Sequence, residues 1–430
     1  MNKEPLKVLL INTSESTGGA AVASKRLFQA LNKHGVEAKL FVKEKQSDLD
    51  AVVTKKAGIR YSLSFLWERF VIWLSVGFKR SKVFQVDIAN AGVDITREKA
   101  FQEADIIHLH WINQGMFSMR QLGGIITSGK PVVWTLHDMW PITGICHHAR
   151  ACTNFHSFCV HCPYLSKGIF ARDLSYLIFN KKRKLYLPYS LNFVGCSQWI
   201  ANEAKKSALT KNQRILSIPN PISIEEFYPK NQQECREKLE LPLNQKLLLF
   251  GAVNALDKRK GFEPFIEACM ELKEKGYTTR DIGVVAIGNN TETLKALSPF
   301  PVFSMGYVQS TEQMVDIYNA VDLYVTSSLE ENLPNMIMES MACGTPCVGF
   351  DVGGIPEMID HKVNGYVSVY ENASSLVEGI RWILENKSIN QLKDKARAKV
   401  VNSYAEEIVT SVYIELYETL LNNDAKQPNA

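Results

Sequence analysis

Glu331 and Glu339 stand eight positions apart in the run Leu329-Glu330-Glu331-Asn332-Leu333-Pro334-Asn335-Met336-Ile337-Met338-Glu339. Two carboxylates at that spacing can take hold of different ends of one ligand. A carboxylate that accepts from two vicinal hydroxyls is a natural reader of a sugar or a ribose. A helix with solvated acids also fits the spacing. Near the N-terminus, Thr13-Ser14-Glu15-Ser16-Thr17-Gly18-Gly19-Ala20-Ala21 leads into a helical pattern. Gly18 and Gly19 would let the backbone approach a ligand there, and the exposed N–H groups would favour an anion. A plain strand-to-helix turn fits the same residues, which do not form the GxGxxG dinucleotide fingerprint. His137 precedes Asp138 at the end of an apolar run. A lone histidine is commonly structural, whereas one at a strand end beside a cleft can act in a site.

Cys146, Cys152, Cys159 and Cys162 are spaced C-x5-C-x6-C-x2-C, with His147, His148, His156 and His161 among them. Four thiolates could hold one structural zinc ion. Free thiols and disulfides are the other readings, because only the last pair has the usual knuckle spacing.

These residues need elements to position them, and the chain supplies β-rich runs alternating with helical segments. The first half predicts strands at Val8–Asn12, Ala38–Val42, Ile106–His110, Val132–Thr135 and Asn192–Cys196. The second predicts Leu247–Ala252, Ile282–Gly288, Val302–Met305, Leu323–Thr326 and Cys347–Phe350. Most are continuous apolar runs, which suits parallel strands covered on both faces. Helices are expected at Ala20–Lys33, Glu263–Lys275, Leu376–Asn386 and Glu406–Leu421. The alternation reads as α/β, with two doubly wound Rossmann-like domains facing a central cleft. Ile218-Pro219-Asn220-Pro221 reads as the linker, since two prolines continue neither helix nor central strand. The expected domains are 1–217, carrying the Cys-rich loop 144–163, then 218–404, then a C-terminal helix and tail at 405–430. A helix starting near Pro334 and ending by Gly344 would carry Glu339, leaving Glu331 in the loop at the strand end.

With 430 residues, 46% of them hydrophobic and 22% charged, the chain is neither collagen-like nor disordered. Its net charge of +4 hides an asymmetry: residues 1–215 hold 30 Lys and Arg against 15 acids, and residues 216–430 hold 19 against 30. A basic first half predicts an anionic partner or surface. Two basic segments rich in aromatic residues, Lys55–Lys82 and Lys167–Tyr186, fit an anionic membrane surface. Core helices with basic solvent faces fit them as well. Nucleic acid is not expected, because no recognised binding motif accompanies the charge. No run of about 18 apolar residues occurs, so no transmembrane helix is expected. Nor is a signal peptide expected. With nine cysteines, an odd number, the expectation is a reducing cytoplasm with most thiols free and buried.

The frame Glu331-x7-Glu339 followed by Ser340-Met341-Ala342-Cys343-Gly344-Thr345-Pro346-Cys347-Val348 resembles the retaining nucleotide-sugar glycosyltransferases of family 4, which have the GT-B fold. Further matching pieces follow in the family's order: Ser16 to Ala20, Thr135-Leu136-His137-Asp138, Ile218-Pro219-Asn220-Pro221, Lys260-Gly261-Phe262, Met305-Gly306-Tyr307 and Gly353-Gly354-Ile355-Pro356-Glu357. The stretch Trp134 to Pro163 is similar to the exopolysaccharide subgroup of colanic-acid type. The resemblance covers nearly the whole chain.

It implies a hexosyltransferase. A sugar would pass from a UDP- or GDP-sugar to a glycan or lipid-linked acceptor with retention of configuration, at the cytoplasmic face of the membrane. No cofactor would be required for catalysis. Glu331 would contact donor hydroxyls, and backbone N–H groups around Asn332 and Leu333 would hold sugar or phosphate. Glu339 would bind the ribose. His137 would lie near the donor sugar, and Gly18 and Gly19 near the diphosphate or acceptor. Lys260 would stabilise the leaving diphosphate. The family usually has an arginine where this chain has Ala255; Lys258 and Arg259 are the candidate substitutes, although they also fit a basic surface turn. Three rivals remain at this stage: a nucleotide-sugar epimerase on the same fold, a nucleic-acid-binding protein, and an inactive scaffold.

Overall fold

The computed structural model describes residues 4–56, 58–166, 173–254 and 256–424. Position 255 and the first part of the basic segment Lys167–Tyr186, residues 167–172, lie outside the described residues. The chain forms two compact units. One runs to Pro221 and resumes at Val409; the other is Ile222–Ile408.

The first unit is built on one sheet of β1 (Lys7–Ser14), β2 (Glu37–Glu44), β3 (Val52–Val53), β4 (Ile106–Leu109), β5 (Val132–Leu136), β6 (Asn192–Gly195) and β7 (Arg214–Ser217). Its order is β3-β2-β1-β4-β5-β6-β7, and every pairing is parallel. The central strands β4, β5 and β6 are buried at every position, which is why they appear in the sequence as unbroken apolar runs. Two apolar layers cover the sheet. Val8, Leu10, Leu27, Leu31 and Leu40 belong to one; Leu9, Ile11, Leu109, Trp134 and Phe193 belong to the other. The last helix, Glu406–Asp424, is not a free-standing tail. Val409, Tyr413, Leu416 and Tyr417 join the first of these layers, and the Tyr417 hydroxyl meets His108 Nδ1 at 2.7 Å.

The second unit holds β8 (Lys246–Asn254), β9 (Ile282–Asn289), β10 (Val302–Gly306), β11 (Leu323–Thr326), β12 (Cys347–Phe350) and β13 (Gly365–Ser368) in the order β10-β9-β8-β11-β12-β13. Pairing is again parallel throughout. Both units are therefore doubly wound, with the direction of winding reversing beside the first strand.

Three strands escape the sequence reading. β3 is two residues long, β7 is an edge strand with exposed ends, and β13 begins at Gly365, where a Cβ would lie 2.4 Å from the Cys347 carbonyl. Short, polar or glycine-led edge strands carry little hydrophobic pattern.

Candidate functional site

In the second unit β9 lies on one side of β8 and β11 on the other. The carboxyl ends of β8 and β11 therefore form the topological switch point of the sheet, the place where doubly wound sheets take their ligands. The loop after β8 makes one 3-10 turn, Lys258–Lys260. Asp257 starts it: its Oδ1 accepts the Arg259 N–H at 3.0 Å, and its Oδ2 pairs with Arg259 Nη2 at 2.7 Å. Gly261 then adopts the left-handed region at φ 68°, where a Cβ would fall 1.6 Å from the Ser327 carbonyl oxygen. Only glycine permits that approach. The Ser327 hydroxyl donates to the Gly261 carbonyl at 2.6 Å, and the Leu329 N–H donates to the Arg259 carbonyl at 2.7 Å. The loops following β8 and β11 are thus stitched together.

That stitching sets Lys260 Nζ in an ion pair with Glu331 Oε1. The Ser328 hydroxyl donates to the same carboxylate oxygen at 3.2 Å. The pair is partly open to solvent, with Lys260 33% and Glu331 13% exposed at the side chain. A third loop, after β12, braces Glu331 through its main chain. A Cβ on Gly353, at φ 59°, would lie 1.9 Å from the Glu331 carbonyl oxygen. The Gly354 N–H donates to the Asn332 carbonyl at 2.7 Å.

Glu339 lies on the helix Asn335–Ala342, which starts after Pro334 with no side-chain cap. Gly344, at φ 80°, lies just beyond its end. The Glu339 carboxylate is buried and accepts from the Tyr318 hydroxyl at 2.6 Å. Burial first, and the Glu339 charge second, push the Tyr318 phenol well above its ordinary pKa. Glu339 is therefore no solvated helix acid. Asn332 and Leu333, on the connection between the two acids, are buried as well.

In the first unit, Gly18 adopts φ 93° at the start of the helix Gly19–Lys33. The loop before it hangs on Glu15, which sequence reasoning passed over. This fully buried carboxylate accepts from the Gln46 and Ser47 amides at 2.7 and 2.9 Å and pairs with Lys25 at 3.0 Å. Burial alone would raise its pKa, but these donors hold it at about 2.

His137, just after β5, is not a lone histidine. Its Nε2 meets His110 Nδ1 at 2.9 Å and the two rings stack, while the His110 ring lies tilted against His108, with centroids 4.3 Å apart. His108 meets Thr135 Oγ1 at 2.7 Å. Burial lowers the pKa of His137 to about 4, of His108 to about 3, and of His110 well below its usual value. All three are neutral at pH 7. Asp138 anchors the surroundings, accepting from Trp111 Nε1 at 2.6 Å, the Trp140 amide at 2.8 Å and His147 Nδ1 at 2.7 Å. Burial opposes its ionisation, yet His147 and the Trp140 amide hold its pKa at about 2. His110, Trp111 and Glu15 escaped sequence reasoning, and His147 was noted only among the cysteines. The run His108-Leu109-His110-Trp111 at the end of a strand was the available signal for the first two.

All nine cysteines are free thiols. Cys146, Cys152, Cys159 and Cys162 line one cavity of about 10 Å³, room for roughly a single water. Burial raises the Cys159 thiol to about 12 and Cys162 to about 11, and lifts Cys146 further. The Gly144 N–H donates to Cys159 Sγ at 3.1 Å. Nearby, the fully buried Lys182 donates to the Trp140 and Thr143 carbonyls at 2.5 and 3.0 Å, and burial lowers its pKa to about 7. Among the described residues no three His, Cys, Asp or Glu side chains form a set able to hold a metal. The four thiols named by the spacing lie together around one small cavity, where burial favours the protonated form of Cys146, Cys159 and Cys162.

With this geometry in hand, comparison with known proteins is informative. A model described as Glycosyltransferase Family 4 matches residues 17–226, and one described as Glycosyl transferases group 1 matches residues 231–400. The chain is 24% identical over 265 residues to N,N'-diacetylbacillosaminyl-diphospho-undecaprenol alpha-1,3-N-acetylgalactosaminyltransferase of Campylobacter jejuni, covering 60% of this chain and 68% of that one. It is 21% identical over 333 residues to an Escherichia coli K12 protein named for colanic acid biosynthesis, the glycosyl transferase WcaC, covering 73% and 75%. The crystal structure of Anabaena HepE in complex with UDP superposes with a TM-score of 0.63 at 15% identity, covering 96% of this chain and all of that one. That likeness establishes the GT-B fold.

Proposed function

Because the chain belongs to the family 4 glycosyltransferases, we propose that it moves a sugar from a nucleoside diphosphate donor to a glycan or lipid-linked acceptor in polysaccharide assembly. The observation that carries this reading is the Lys260–Glu331 ion pair at the β8/β11 switch point. A cation and a carboxylate that hold each other at a partly exposed loop can each turn to a ligand group, the cation to an anion and the carboxylate to hydroxyls, which replace the partner given up. Lys260 would turn to the diphosphate and Glu331 to the sugar hydroxyls. Glu339 would accept from the ribose hydroxyls while Tyr318 orients it. Amides near Asn332 and Leu333 would add donors, and Lys258 and Arg259 would supply the further positive charge.

Catalysis in this reading is charge stabilisation of the departing diphosphate together with positioning. His137 and the loop at Gly18 and Gly19 are the first unit's own candidates for ligand contacts. Neutral His137 would donate or accept a hydrogen bond rather than a charge. Retention of configuration, with the acceptor hydroxyl attacking on the face the diphosphate leaves, fits a site with no nominated nucleophile. The lipid-linked acceptor is proposed by analogy with the Campylobacter relative, whose name carries an undecaprenol diphosphate. Transfer from a nucleotide sugar to such a lipid would take place on the cytoplasmic side of the membrane.

The test is transfer from radiolabelled UDP- and GDP-sugars to undecaprenyl-diphosphate-linked glycans, with Lys260→Ala and Glu331→Ala as controls. Label in the lipid fraction that disappears in both variants is the expected result. Conversion of the donor to an isomeric nucleotide sugar without any acceptor would replace the proposal with an epimerase.

A further inference from the structure

The helix Ile59–Ser75 is built inside out. At about 100° per residue, Ile59, Leu63, Leu66, Trp67, Phe70 and Leu74 fall on one stripe, and they are between 42% and 79% exposed. The buried side chains of the helix are Glu68 and Ile72, on the opposite side. Glu68 is fully buried, its carboxylate accepting from the Asn90 and Ala91 amides and pairing with Arg69. Arg69 reaches Asp87 in turn at 3.3 Å. The polar face is thus fixed inward, and the helix cannot roll to hide its apolar one without breaking these bonds.

The apolar surface continues past the helix. Phe78 and Phe84 are 61% and 59% exposed. The rings of Trp67, Phe70, Trp73 and Phe78 adjoin in sequence, with centroids 5.7, 6.1 and 4.7 Å apart. Lys56, Arg60, Lys79 and Arg80 are exposed along the same stretch. Glu68 is the one acid from Lys55 to Lys82, so the segment itself presents no exposed carboxylate, and from outside it Glu98 meets Lys55 at 2.7 Å.

We propose that this stripe docks the chain onto an anionic phospholipid bilayer, the helix lying in the plane of the interface. The apolar side chains enter the boundary between headgroups and acyl chains, and the flanking cations meet lipid phosphates. Tryptophan suits that depth, with one edge apolar and the other wet. Among the described residues no helix is long and apolar enough to cross a membrane, so the contact is interfacial. A second copy of the chain is the poorer occupant, because a twofold contact would set these cations against one another. The proposal does not depend on how the donor is held.

The experiment is flotation of the full chain with vesicles of phosphatidylcholine, pure or mixed with roughly a third phosphatidylglycerol. The wild type should float with the mixed vesicles, less so as salt rises. The triple variant Leu63→Ser, Trp67→Ser, Phe70→Ser should lose at least about tenfold in binding. Should that variant fold poorly, Lys79→Glu with Arg80→Glu tests the electrostatic half on its own, and binding to the mixed vesicles should again fall. Unchanged UDP or GDP binding in both variants separates docking from the donor site. Equal flotation of wild type and variants would overturn the proposal. So would a wild-type dimer that the triple variant disperses while neither protein binds vesicles.

Discussion

The two units share one plan, a parallel sheet wound outward from its first strand, yet they furnish their strand ends in opposite ways. Beyond β8 and β11 lie full charges of opposite sign, Lys260 and Glu331, partly exposed to solvent and braced through main chain. At the ends of β4 and β5 lies a largely buried network of neutral imidazoles, His108, His110 and His137, beside the anchored Asp138. The first arrangement suits a ligand that brings charge and can displace a pair. The second suits a surface whose shape must not change. The same topology thus carries an opposed charge pair in one unit and neutral rings in the other, decided by a handful of residues at the strand ends.

The largest effect that would sharpen this contrast is expected at Lys260. Lys260→Ala should slow transfer by at least ~10²-fold, the scale for removing one electrostatic stabiliser. Near-normal turnover would place the charge stabilisation elsewhere. Glu339→Ala should weaken nucleoside diphosphate binding by roughly tenfold or more, as expected for a lost hydrogen bond to a charged group. Glu331→Ala should lower the rate more than nucleotide affinity. Titration calorimetry on both variants separates the two, and equal losses of affinity would mean that the acids do not read different ends of the donor.

A third effect belongs to the neutral network. His137 and His108 have folded pKa values lowered by burial to about 4 and about 3, against about 6.5 for an unperturbed histidine. Between those limits the unfolded chain takes up protons that the folded chain does not. Stability contributed by these rings is complete above pH ~6.5 and falls as pH drops toward 4, by up to about 1.4 kcal/mol per pH unit for each ring. Urea unfolding at a series of pH values should show that decline, and His108→Gln should flatten it. A profile unchanged by the substitution would mean that the ring titrates freely.

The smallest effect concerns the thiols. With Cys159 and Cys162 raised to about 12 and about 11, alkylation of the metal-free native protein at pH 8 should be slow at both, and fast alkylation would show that the cavity carries charge. Metal analysis of the purified protein decides the four-thiolate reading: about one zinc per chain supports it, and none in a freshly reduced sample rejects it.

Much of this was legible in the sequence. Continuous apolar runs such as Leu323–Thr326 and Cys347–Phe350 match the strands residue for residue, because burial on both faces leaves no polar position to blur the ends. Glu331 in a loop and Glu339 on the helix behind it followed from Pro334 and Gly344, which punctuate the backbone locally. What could not be read depends on contacts distant in sequence. Glu15 is held from residues 46 and 47, His137 from His110, and Glu339 by Tyr318, and no spacing rule links those positions. The basic and aromatic segment 55–82 was seen as a composition, but which of its faces looks outward was decided by Glu68 turning in toward Asn90 and Ala91.

The central claim is that the loops after β8 and β11 hold a nucleoside diphosphate sugar. A crystal structure of the protein with UDP, GDP or a sugar conjugate of either tests it most directly. The account predicts the diphosphate within hydrogen-bond distance of Lys260 Nζ, the Lys260–Glu331 pair parted, and the ribose hydroxyls on Glu339. A nucleotide bound elsewhere, with that ion pair intact, would contradict it.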